Sequence, residues 1–183
     1  WSRGLGDVYK RQMLQRVLSK TKLFNSYSIA PSPHIRACHA KKWIGEQRWA
    51  EFYSFAVTRN PWDWQVSLYE YIRQSKFHYQ YHLVNSFESF DDYIAWRCRE
   101  DLSLQSDFVM DELKSRVIVK DIYRFESIQR DVERLRSHLG TKVALRHLNQ
   151  GNHANYRDYY TDYAKGMVAE YFADDISRFG YEF

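Results

Sequence analysis

Cysteine is scarce in this sequence. Cys38 and Cys98 stand 60 positions apart and are the only two in 183 residues. That spacing excludes a zinc knuckle or a CxxC redox pair, and the low count excludes a disulfide scaffold. Both read as free thiols in a reducing compartment, which makes the cytoplasm the expected location. Long apolar runs are also missing. None approaches the ~20 residues of a membrane-spanning helix, so no membrane segment is expected. The phosphate-loop signature GxxxxGK[ST] occurs nowhere. There is no internal repeat, low-complexity tract or linker, so a single domain is expected.

What is present fits a packed domain: 44% hydrophobic residues, 17% aromatic and 27% charged. A chain of this length buries roughly 70% of its unfolded surface. The first twelve residues, WSRGLGDVYKRQ, read differently. Residues 7–12, DVYKRQ, resemble the translation of a transposon end used in preparing sequencing libraries, and they directly precede Met13. The expectation is a non-native scar over 1–12 followed by the domain at 13–183, the other reading being an ordinary N-terminal arm. Arg3, Lys10 and Arg11 less Asp7 account for +2 of the formal charge of +4. The +2 that remains is no nucleic-acid footprint, and no nucleic-acid partner is expected.

Along the chain, residues 13–20 carry apolar positions 13, 14, 17 and 18 on one helical face. Residues 24–33, with two prolines, read as a loop. A helical pattern from His34 ends at Gly45, a C-terminal cap, and a short helical piece is expected around 47–49. Residues 52–58 are mostly apolar and aromatic, as in a buried strand. The strand ends at Arg59. Asn60 offers an N-cap oxygen, Pro61 fits the first helical position, and Asp63 stands where a capping carboxylate belongs. The spacing of Trp62, Val66, Tyr69 and Arg73 predicts a helix to about Gln74, with Ser67 off that stripe. Ser89 and Asp92 announce another helix in capping-box spacing. Val117, Ile118 and Val119 read as a second strand, leading through Tyr123, Arg124, Phe125 and Glu126 to Ser127. A helix then carries Ile128, Val132, Leu135 and Leu139, closed by Gly140. A last helix is predicted from about Thr161 through Ile176. Strands separated by helices predict an α/β fold with a parallel sheet.

In open α/β sheets, ligands bind beyond the C-terminal strand ends, where a following helix supplies amides and partial positive charge. Arg59 occupies that place, with Ser67 about two turns into the helix. A guanidinium and a hydroxyl so arranged suit one phosphate. The competing reading makes Arg59 a surface ion-pair residue.

RNPWDWQVSLYEY (59–71) resembles the 3′-phosphate-binding motif of sulfotransferases that use 3′-phosphoadenosine-5′-phosphosulfate (PAPS), in the version found in the carbohydrate sulfotransferase-like family (sulfotransferase family 2). The likeness continues in the family's order through LQSDFV (104–109), YRFESIQRDV (123–132), HLNQGNHANYRDYYT (147–161) and DDISRFGYEF (174–183). The resemblance implies a P-loop-like fold with a parallel β-sheet flanked by helices. It implies that Arg59 and Ser67 hold the 3′-phosphate of PAPS, and it offers Arg124 as a further cofactor contact, although an Arg124–Glu126 ion pair anchoring the second strand is the preferred reading. The acceptor implied is a hydroxyl-bearing molecule, a carbohydrate, and no metal is implied. Relatives carry a base ahead of the strand in a stretch ending in Gly. His34, eleven residues before Gly45, matches that spacing, and His39 is the alternative. Many relatives have Arg where this chain has Trp64, which reads first as a packing residue. The tyrosines at 156, 159, 160 and 163 likewise read first as packing.

The family opens with a strand and a Lys-containing loop for the 5′-phosphosulfate, and nothing between Met13 and His34 supplies them. The expectation is therefore a truncated reading frame, lacking the first strand and phosphosulfate loop, and itself inactive. Two other classes stay open: a nucleotide-binding but catalytically dead domain, and a basic nucleic-acid-binding protein, which steep salt-dependent retention on DNA or RNA distinguishes.

Overall fold

The structure, a computed structural model, describes residues 34–139 and 155–183. The expected arm at 1–12, helix at 13–20, loop at 24–33, cap at Gly140 and residues 147–154 of the fourth family-like segment lie outside the described residues.

The first helices are α1, Ala37–Ile44, and α2, Glu46–Glu51. Gly45 between them has φ 88°, a conformation that favours glycine, and this sets the break between the two helices. Strand β1, Phe55–Thr58, follows. It is shorter than the expected 52–58 because Phe52 still caps α2 through its amide, and Tyr53 turns its hydroxyl to Asp121.

Helix α3, Pro61–Gln74, has the predicted bounds. Asn60 Oδ1 accepts from the amides of Trp62 and Asp63, and Pro61 occupies the first turn, where an amide proton has no intrahelical partner. A single turn, α4, Tyr81–Val84, leads to α5, Phe90–Glu100. There Ser89 and Asp92 form the reciprocal capping box.

The second strand departs from expectation. Val117 makes only an isolated antiparallel bridge with Met110, and β2 is Asp121–Arg124. The ladder starts late because Ser54 O accepts from the amides of Lys120 and Asp121, which fixes Phe55 opposite Asp121 and Thr58 opposite Arg124. Val117 and Val119 use their apolar side chains to pack against Val109, Met110, Phe179 and Tyr181 instead. β1 and β2 pair in parallel. The described fold is mixed α/β, mostly helical, with a small two-stranded parallel sheet.

Helix α6, Ile128–Leu139, follows β2 after a 3-10 turn at Phe125–Ser127. The predicted last helix is two: α7, Asp162–Tyr171, and α8, Ala173–Phe179, broken at the fully buried Phe172. Gly180 closes α8 with φ 63°, the left-handed cap glycine adopts without penalty.

The main core joins α3, α5 and α7 through Trp62, Tyr69, Ile72, Tyr93, Ile94, Met167, Val168 and Phe172. Tyr69 meets Phe90 and Tyr93 at centroid distances of 5.1 and 4.8 Å, in edge-on and tilted contacts that aromatic quadrupoles favour. Trp64 packs here too, edge-on to Phe172 with the Arg97 guanidinium above it. Both cysteines are buried free thiols, and burial pushes the Cys98 thiol up to about 11. Among the described residues no helix is long and apolar enough to cross a membrane.

At the N-terminal end of the sheet, Tyr53 donates to Asp121 Oδ2 at 2.6 Å, and Arg134 bonds the other oxygen. The Tyr53 hydrogen bond, helped by the Arg134 charge, holds the Asp121 carboxyl below its usual range. A carboxyl lowered in the folded state stabilises above its unfolded pKa, near 3.9, and loses that contribution as pH falls through the folded value. In urea titrations, Asp121→Asn should therefore destabilise the protein at pH 6. Its difference from wild type should shrink as pH drops below about 4; a pH-independent difference would refute the assignment.

Candidate functional site

Beyond the C-terminal end of β1 the chain must turn from strand to helix, and this junction is fixed from four sides. Arg59 donates its amide to Gln105 Oε1 and accepts from Gln105 Nε2, each at 2.8 Å, so a side-chain amide satisfies both of its backbone groups. Gln105 is fixed in turn: its amide and that of Ser106 donate to the buried Asp175 at 2.7 and 2.8 Å. Asn60 donates its amide to Glu126 Oε1 at 2.6 Å and its side-chain Nδ2 to the Glu182 carbonyl at 2.7 Å. Thr58 and Tyr181 hydroxyls meet at 2.9 Å, and Tyr181 reaches Glu126 Oε2 at 3.5 Å. Burial pushes the Tyr181 hydroxyl up to about 12, so it remains a protonated donor at neutral pH.

The side chain of Arg59 leaves this junction in a defined direction. Its Nε donates to Asp63 Oδ2 at 2.5 Å, and its guanidinium carbon lies 4.6 Å from the centroid of the Phe125 ring. Asp63, expected as a capping carboxylate, thus serves Arg59, while Asn60 performs the capping. The first-turn amides of Trp62 and Asp63 already face Asn60 Oδ1, at 3.0 and 3.5 Å. An anion placed here would meet side-chain donors, not bare helix amides. Ser67 lies one turn beyond Asp63 on the same face of α3, about 6 Å further along the axis. It is partly buried, and its hydroxyl bonds no described residue.

Arg124 lies on the neighbouring strand, and its guanidinium has different partners. Nη2 donates to the carbonyls of Phe179 and Gly180, at the C-terminal end of α8 where a cation is favoured. The expected Arg124–Glu126 ion pair does not form among the described residues, because both Glu126 oxygens accept from Asn60 and Tyr181. His34 is exposed in the turn before α1, and His39 is exposed on α1 itself. An Arg36–Asp107 ion pair of 3.6 Å ties the start of α1 to the turn next to Gln105, on the flank of Arg59.

The tyrosines at 156, 159 and 160 pack as read, Tyr160 donating to Trp62 O at 2.9 Å and Tyr159 to Glu70 at 3.2 Å, whereas Tyr163 is exposed instead of packed. Arg157 lies over the rings of Tyr156 and Phe183, at 4.6 and 5.5 Å. No group of three or more His, Cys, Asp or Glu suited to a metal occurs among the described residues.

Gln105, Phe125 and the Glu126 contact to Asn60 were missed in the sequence. Each depends on a partner 46 to 66 positions away, and no local spacing signals it. Deleting the Asn60 side chain tests the junction. Asn60→Ala should destabilise by about 1 kcal/mol for the cap, plus about 1 kcal/mol for the lost bond to Glu182. Asn60→Asp, which keeps the cap oxygen, should recover part of that in urea denaturation. Equal stability of Asn60→Ala and wild type would show that the junction is held elsewhere.

Compared with known proteins, the chain matches no family model, no curated protein sequence and no solved structure.

Proposed function

We propose that the chain carries the 3′-phosphate-binding part of a sulfotransferase domain of P-loop-like fold, an enzyme that uses PAPS and transfers its sulfuryl group to the hydroxyl of an acceptor, a carbohydrate, in the cytoplasm. The observation that carries this reading is the Arg59 fork at the end of β1. Its Nε is taken by Asp63, while its Nη groups donate to no described residue, and Ser67 stands one turn beyond on the same helix face. Two parallel N–H donors with a hydroxyl further along the same helix support a site for the 3′-phosphate.

PAPS supplies the sulfuryl group, and adenosine 3′,5′-bisphosphate is the leaving group. Arg59 and Ser67 hold its 3′-phosphate. The Gln105 clamp keeps the Arg59 backbone from shifting as charge arrives, so orientation is set before binding. His34 takes the proton of the attacking hydroxyl, with His39 as the alternative base. Arg124, committed to the end of α8, contributes by holding the chain terminus against β2.

Calorimetry with adenosine 3′,5′-bisphosphate tests the site directly. Arg59→Ala should weaken binding by about 1.5–3 kcal/mol, roughly ten- to 150-fold, through loss of a charged donor. Ser67→Ala should have a smaller effect. Undiminished affinity in the Arg59 variant removes the basis of the reading. In a sulfuryl-transfer assay of a version that turns over PAPS, His34→Ala should lower kcat by about 10²–10⁴-fold with donor affinity unchanged. If His39→Ala shows that loss instead, the base is His39. Donor binding without any turnover points to a catalytically dead nucleotide-binding domain.

A further inference from the structure

Arg59 and Ser67 say which groups meet the anion; the neighbours of Arg59 say why its side chain points where it does. We infer that Asp63 and Phe125 are positioning residues that preset the Arg59 guanidinium for bidentate capture of a phosphate monoester. This rests on the reading of Arg59 as the phosphate donor.

A free arginine side chain samples many rotamers, and each must be excluded before two N–H groups can line up with two oxygens. Here the exclusion is done within the protein. The backbone is held on both sides by Gln105. The Nε edge is held by Asp63 Oδ2 at 2.5 Å, with the two side chains only 21% and 16% exposed. One face lies against the Phe125 ring, 4.6 Å to its centroid, in a cation–π contact. Phe125 opens the 3-10 turn whose Glu126 bonds the Asn60 amide, so its backbone is anchored beside Arg59 while its ring stays 46% exposed. What remains is the Nη1/Nη2 end, whose N–H groups reach no described acceptor and whose fork geometry matches two phosphate oxygens. Asp63 touches only Nε, so an anion at the fork end leaves the carboxylate in place.

A competing arrangement makes Asp63 a resident counter-ion that the ligand must displace, and the two differ in sign. If Asp63 positions Arg59, Asp63→Ala should weaken adenosine 3′,5′-bisphosphate binding about three- to tenfold, the scale of one hydrogen bond. Asp63→Asn, which keeps an acceptor oxygen for Nε, should bind at least as tightly as wild type. Phe125→Leu should weaken binding by a similar factor to Asp63→Ala. A readout insensitive to general stability is the Arg59 Nε–H resonance in ¹⁵N NMR. It should be present and slow to exchange before ligand is added, persist when the bisphosphate is bound, and vanish in Asp63→Ala.

Tighter or unchanged binding by Asp63→Ala, or loss of the Nε–H signal on ligand binding, overturns the inference while leaving Arg59 as the phosphate donor. If the wild-type chain binds no bisphosphate and Arg59→Ala changes nothing, the underlying reading fails, and the positioning role with it.

Discussion

Asn60 is the constraint on which the site depends. Its side-chain oxygen caps α3, its side-chain nitrogen holds the Glu182 carbonyl, and its backbone amide reaches Glu126 in the turn after β2. One residue, 8% exposed, thereby ties strand β1, helix α3, the β2–α6 connection and the final residues of the chain. A buried amide stabilises only when its donors and acceptor are all partnered. Here the oxygen and the nitrogen of the Asn60 side chain each have a partner, so each of the four elements depends on the same local geometry. The two-stranded ladder alone is too small to fix the direction of Arg59. The polar junction does so, and the aromatic core behind it holds α3 against α5 and α7.

That core explains why a helix beginning at a polar junction can be stable. Trp62 sits in the first turn of α3 with 4% exposure, its indole nitrogen donating to the Lys165 carbonyl at 3.2 Å and its ring meeting Phe183 edge-on. The junction is thus anchored to α7 and to Phe183 by Trp62, two residues after the one that caps it. The buried polar pair is placed similarly: Arg97 Nε donates to Gln65 Oε1 at 3.3 Å inside the α3–α5 contact. Replacing either partner alone leaves a buried donor or acceptor unmatched, a larger penalty than the pair contributes when intact.

Legibility in the sequence followed the range of the interaction. The start of helix α3 was readable because Asn60 and Pro61 act within one turn of themselves, and Ser89 with Asp92 likewise marked the start of α5. The end of β1 at Thr58 was readable for the same reason, which placed Arg59 at the junction. The second strand was not. Three β-branched residues at 117–119 carry strand propensity, but the register was set by Ser54 pairing with Lys120 and Asp121, 66 and 67 positions away. Propensity here reflected a fit to a half-buried surface, and Val117 and Val119 found that surface in packing instead of in the ladder. The break at Phe172 was hidden because its apolar side chain continues the helical stripe, although the backbone turns there to bury it.

The same distinction governs the cations around the site. Arg59, Arg124 and Arg157 are all cations near the site, yet the fold gives them different tasks. Arg124 neutralises carbonyls at the end of α8, and a side chain added at Gly180 would approach its Nη2 to 3.0 Å, so cap and cation occupy one tight space. Arg157 is exposed and lies over Tyr156 and Phe183, where water and salt weaken its reach. Arg59 alone of the three combines partial burial, a carboxylate on Nε and an aromatic face. Lower local dielectric strengthens what its fork meets, and the Asp63 charge offsets part of what burying a guanidinium costs. On the proposed reading, a phosphate would therefore meet a group whose desolvation and orientation are largely settled by the fold.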